Sequence, residues 1–128
     1  HGVDLGAADA SERLGAWLVA AAAAVGPDAI GTAAWSGLAI DATLWLGERL
    51  IAASDGALRW ELYTAHKKAT GYQRAVLVGF RGVDDPRYYV DLAHFVASWL
   101  ELALRRRPAR PDFLAVIERT TLADARPR

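Results

Sequence analysis

At 128 residues the chain has room for one domain of ordinary size, and a composition 53% hydrophobic with five Trp, four Tyr and three Phe excludes a disordered segment. The absence of cysteine removes thiol catalysis, thiolate metal sites and disulfide frameworks, and leaves the redox compartment open. Fifteen basic residues balance fifteen acidic ones, so no global field drives the chain onto nucleic acid or an anionic membrane. The halves differ, with two bases and seven acids in residues 1–57, and thirteen bases and eight acids after them. Residues 1–128 are read as a single domain with flexible ends at 1–8 and 123–128.

A first helix is expected from Asp9, where Asp9 and Glu12 have capping-box spacing, through the helical repeat of Leu14, Trp17, Leu18, Ala21 and Val25 to the break at Gly26-Pro27. The second runs from Thr32 to Ser54 and closes on the left-handed turn offered by Asp55-Gly56. Trp35, Ala39, Ala42, Leu46, Leu50 and Ala53 form its stripe, widened by Leu38 and Trp45, so most of its circumference is expected to be buried. The period then changes from helical to two: Leu58, Trp60 and Leu62 alternate with Arg59, Glu61 and Tyr63, the pattern of a half-buried strand. Ala75 to Phe80 is apolar on both faces and reads as a central strand, making residues 64–74 a hairpin connection.

Asp84-Asp85-Pro86 signals the start of a third helix reaching about Arg107, with Tyr88, Leu92, Phe95, Val96, Trp99, Leu102 and Ala103 buried. Residues 112–122 stand between a strand, favoured by Val116, Ile117, Thr120 and Thr121, and a short helix beginning after Pro111. The fold class is therefore α+β: three to four helices packed on a small antiparallel hairpin or three-stranded sheet, in the order α-α-β-β-α and then α or β. No apolar run reaches the roughly 20 residues of a membrane span. The chain contains no Met and opens on His1-Gly2, so its native start is expected to be missing and the domain to belong to a larger protein. A cytoplasmic location is expected. Thirteen Arg against two Lys, with heavy Ala use, suggest a GC-rich bacterial source.

Leu46-Gly47-Glu48 near the end of a long helix, then Gly56, then Trp60 on a strand, an apolar strand and Asp85-Pro86 together resemble a pattern of small bacterial helix, hairpin, helix domains of unknown function. The resemblance spans roughly residues 38–105 and implies that arrangement without any activity.

Three sets of residues carry candidate chemistry. Asp91, His94, Ser98, Glu101 and Arg105 recur at spacings of three and four, which on one helix face gives a hydrolytic site with His94 as base and Asp91 orienting it, or an ordinary solvated face. Asp41 and Glu48, seven residues apart in an apolar helix, are either shifted acid or base groups or partners of Arg49, Arg59 or Arg74. Lys67, Lys68, Arg74, Arg81 and Arg87, with His66, Tyr72 and Gln73, would form a ligand-binding cationic patch for phosphate or single-stranded nucleic acid if they converge, and otherwise guard a hairpin edge. Arg105 to Arg110 is a basic run at a helix end. No P-loop, nucleophile elbow, dinucleotide-binding glycine triplet or zinc-protease motif is present, and no cofactor or metal is expected. The reading that follows is a non-catalytic protein-interaction or assembly module, with a protein partner or a second copy of itself; phosphate or nucleic-acid binding and a small hydrolase are the alternatives.

Overall fold

The computed structural model describes residues 4–64, 67–68 and 73–127. Helix α1 (Ala10–Val25) leads through a 3-10 turn at Pro27–Ala29 into α2 (Ala33–Ala53); strands β1 (Arg59–Leu62) and β2 (Ala75–Val78) follow, and α3 (Leu92–Leu104) and α4 (Phe113–Ala125) complete an α+β fold. The segment left open at 112–122 is helical. Pro111 and Asp112 precede its first turn, and Phe113, Leu114, Ile117 and Thr121 fall on one buried face at helical spacing. α4 continues to Ala125, into the stretch expected to be loose.

Helix α3 packs against α1, α2 and β2, and α4 against α1 and α2. Leu18, Leu46, Leu77, Val96 and Phe113, one from each of the five elements that meet there, share the main core. Small residues bring α1 and α3 together at Ala22 and Ala103, in keeping with the Ala-rich run of α1. The start of α1 is as expected, but its capping box does not form. The Asp9 carboxylate turns to the Arg13 side chain four residues on, at 2.9 Å, and makes no cap bond. At α2 the Thr32 hydroxyl does cap, accepting from the Trp35 amide, and Asp55 (φ 54°) and Gly56 (φ 78°) supply the left-handed exit.

The third helix starts later than its sequence signal. Asp85 spends its carboxylate on the Arg87 amide and its carbonyl on the Tyr88 amide, which closes a turn instead of a helix. The chain then runs extended, and Val90 exchanges both backbone hydrogen bonds with Leu77 at 3.0 Å. Only at Asp91, whose carboxylate accepts from the His94 amide, does α3 begin. Tyr88 is thus off the helix, edge-on to Phe80 with ring centroids 5.1 Å apart. β2 sits centrally, as its two apolar faces demand, between β1 and the Val90 segment.

In the hairpin Arg59 pairs with Val78, Trp60 with Leu77, Glu61 with Val76 and Leu62 with Ala75. Trp60 lies against α2 where Gly47 stands: a β-carbon there would come 2.0 Å from the indole ring, so only glycine permits the contact. Gly79, at φ 98°, meets the Ala57 carbonyl in the same way and takes the chain out of β2.

Candidate interaction surface

The residues singled out for chemistry are dispersed. Asp91 is buried at the head of α3, where Oδ1 caps the helix and Oδ2 lies 3.2 Å from Arg74 Nε, near enough for an ion pair but out of line for a hydrogen bond. It meets the backbone of His94 rather than its ring. The His94 side chain is exposed beside Phe95, Ser98 bonds back to the His94 carbonyl, and Glu101 is exposed and loosely paired with Arg105 at 3.8 Å. Among the described residues no group of three or more His, Asp or Glu is placed to hold a metal.

Asp41 and Glu48 are both exposed on α2. Glu48 accepts a 3.1 Å hydrogen bond from the Trp60 indole, while Arg49 reaches the other way, to Glu118 on α4 and to the carbonyls of Ala7 and Ala8. Of the cationic set, Lys67 and Lys68 are exposed in the connection beyond the Leu62 and Ala75 end of the hairpin. Arg81 follows β2 at the opposite end, Arg74 is held by Asp91, and Arg87 lies 3.7 Å from Asp85. His66 and Tyr72 lie outside the described residues. The groove of about 450 Å³ on the outer face of the hairpin carries Arg59 and Arg81 but equally Glu61 and Asp85, so its charge is mixed. The basic run after α3 is also engaged: Arg106 donates to the Ala23 carbonyl at the end of α1, and Arg110 closes on Asp112 with two hydrogen bonds that hold that carboxyl below its ordinary range.

A different surface is conspicuous for what it exposes. α2 has only three charged residues in 21, and a helix so apolar around its whole circumference is ordinarily enclosed. Here Ile40 and Leu44, one turn apart on the same face, are 57% and 51% exposed. Glu48 extends that stripe by another turn, and its bond to Trp60 ties that end of the stripe to β1. On β1, Leu62 is 59% exposed, although its alternation with Leu58 and Trp60 marks the covered face; Leu58 at the base of the strand is buried, and cover is lost toward the tip.

The backbone of β1 adds hydrogen-bonding capacity to this surface. Tyr63 donates to the Arg74 carbonyl and accepts from the Gln73 amide, so Tyr63, Glu61 and Arg59 are the residues that face β2 in the antiparallel alternation. Leu77 gives its own amide and carbonyl to Val90, so its cross-strand partner Trp60, and with it Leu62, point theirs away from the sheet. β1 is therefore an edge strand, and the Trp60 side chain on it meets the Glu48 end of the exposed stripe of α2.

This surface is not legible from local pattern, because helical periodicity encloses α2 and a period of two buries Leu62. No protein-family model, no curated protein and no solved structure matches the chain. Among the described residues, no helix is long and apolar enough to cross a membrane.

Proposed function

We propose that this domain is a non-catalytic assembly module that associates with a second copy of itself through the surface joining the outer stripe of α2 to the edge of β1. The observation that carries the reading is the joint exposure of Ile40, Leu44 and Leu62 beside an unpaired strand edge. Fully burying an aliphatic side chain of this size contributes about 1.5–3 kcal/mol, so covering what these three leave open contributes a few kcal/mol per copy. Exposed aliphatic surface of this kind is suited to docking, and an edge strand supplies main-chain bonds that give such docking direction.

Light scattering across a concentration series tests the proposal. A mass of two chains is expected for the wild type at high concentration, and Ile40→Asp or Leu44→Asp should return it to one chain with an unchanged circular-dichroism spectrum. A wild type that stays at the single-chain mass throughout would remove this reading.

A further inference from the structure

The segment Leu58-Arg59-Trp60-Glu61-Leu62 has an approximate two-fold symmetry about Trp60, which an antiparallel self-pairing would use. Read outward from Trp60, it has one charge of each sign at the flanking positions and Leu at both ends. Resting on the assembly reading above, we infer that two copies join edge to edge through β1, antiparallel, with their Trp60 residues opposite each other on the two-fold axis, extending one sheet across both molecules.

The outward groups restrict the choice of register. Because Trp60 and Leu62, with the Leu58 carbonyl, are the groups that leave the sheet along β1, the two-fold axis can fall at Arg59, Trp60, Glu61 or Leu62. Centred on Arg59 or on Glu61, the pairing sets two like charges directly opposite one another, which is destabilising. Centred on Leu62, it sets Glu61 against the partner's Tyr63 and puts no acidic residue opposite Arg59. Centred on Trp60, it sets Arg59 opposite the partner's Glu61 and Glu61 opposite the partner's Arg59, two ion pairs on the exposed outer face. Leu62 then lies across from the partner's Leu58, and its amide meets that residue's carbonyl. The Leu58 amide is already bonded to the Ser54 hydroxyl at 3.0 Å, so each end of the pairing is asymmetric and uses one bond.

The same arrangement accounts for the neighbouring aliphatic residues. A five-residue strand edge covers too little area for a stable dimer by itself, since specific interfaces bury about 1,200–2,000 Å². α2 lies on the Trp60 face of β1, as the Gly47 contact and the Glu48 hydrogen bond fix. Joining the two edges brings the Ile40 and Leu44 stripes of both copies to the same side of the extended sheet.

Charge exchange at positions 59 and 61 is the test, because both side chains are exposed and neither is part of the core. Sedimentation equilibrium is to be run on the intact chain, on Arg59→Glu, on Glu61→Arg, on the double variant and on an equimolar mixture of the two single variants. Each single variant sets like charges opposite at both positions and should dimerise about tenfold or more weakly. The double variant restores both pairs and should regain wild-type association to within about threefold; the mixture should form the heterodimer. If the wild type dimerises and the single variants do so equally well, this register is wrong while the assembly reading stands. If the wild type is a monomer at every concentration, both fall.

Discussion

The Arg49 guanidinium, on α2, meets the Glu118 carboxylate, on α4, with side chains 23% and 17% exposed, and the same guanidinium donates to the carbonyls of Ala7 and Ala8 ahead of α1. Glu118 also accepts from the Ser11 hydroxyl. One mostly covered ion pair therefore ties three helices together. Removing one member leaves the other charge short of partners, so Glu118→Ala and Arg49→Ala should each destabilise the fold by about 2–4 kcal/mol. Urea unfolding checks this. In the double variant the losses should fall clearly short of additive, since the second substitution removes a charge already left unpaired.

Gly47 carries a prediction opposite in sign to helix propensity. Gly→Ala in the middle of a helix ordinarily stabilises by roughly 0.5–1 kcal/mol. Here the added methyl would occupy space held by the Trp60 ring. Gly47→Ala is expected to cost about 1–3 kcal/mol in urea unfolding and to shift indole emission as Trp60 is displaced. Gly37, with open space at its β-carbon position, should show the ordinary stabilisation on conversion to Ala.

Asp91 separates capping from charge. Asn at this position still accepts the His94 amide, and it gives up only the ion pair to Arg74, which is 43% exposed. Asp91→Asn should therefore cost less than about 1 kcal/mol, whereas Asp91→Ala loses the cap and should cost about 1–2 kcal/mol. A thermal-unfolding comparison of the two variants distinguishes the contributions.

Tyr88 gives the fold an alkaline limit. Burial first, and then the charge of Asp124 and the hydrogen bond to it, raise the Tyr88 hydroxyl above its ordinary 10.0. A group whose pKa is raised on folding contributes stability that is intact below the unfolded value and is lost as pH climbs through the folded one. Wild-type stability should accordingly decline above about pH 10 more steeply than that of Tyr88→Phe, as measured by urea unfolding at pH 8 to 11. Parallel declines would show that Tyr88 ionisation is not responsible.

The first two helices, the hairpin and its central strand were legible because each is a local pattern: Thr32 and Asp55-Gly56 bracket α2, and the rhythm changes at Gly56; α4 was not, because Val116, Ile117, Thr120 and Thr121 favour a strand locally and only the packing of Phe113, Leu114 and Ile117 decides for a helix. The start of α3 was not, because Asp84-Asp85-Pro86 makes a competent turn, and the long-range pairing of Val90 with Leu77 then keeps the chain extended up to Asp91. The partner of Arg49 was also beyond reach, since Glu118 lies 69 positions away and nothing local distinguishes it from Glu48. The candidate surface was half visible: the arrangement Leu58-Arg59-Trp60-Glu61-Leu62 stands in the sequence, but that β1 is an edge and that Ile40, Leu44 and Leu62 remain uncovered are properties of the packing.

Amide hydrogen exchange followed by NMR at rising protein concentration tests the central claim most directly. The account predicts that the Trp60 and Leu62 amides, which leave the sheet in a single chain, become slow to exchange as copies pair, while Glu61 and Tyr63, already turned toward β2, are protected at every concentration. Exchange at Trp60 and Leu62 that is fast and indifferent to concentration, in a sample shown to be dimeric, would contradict pairing through this edge.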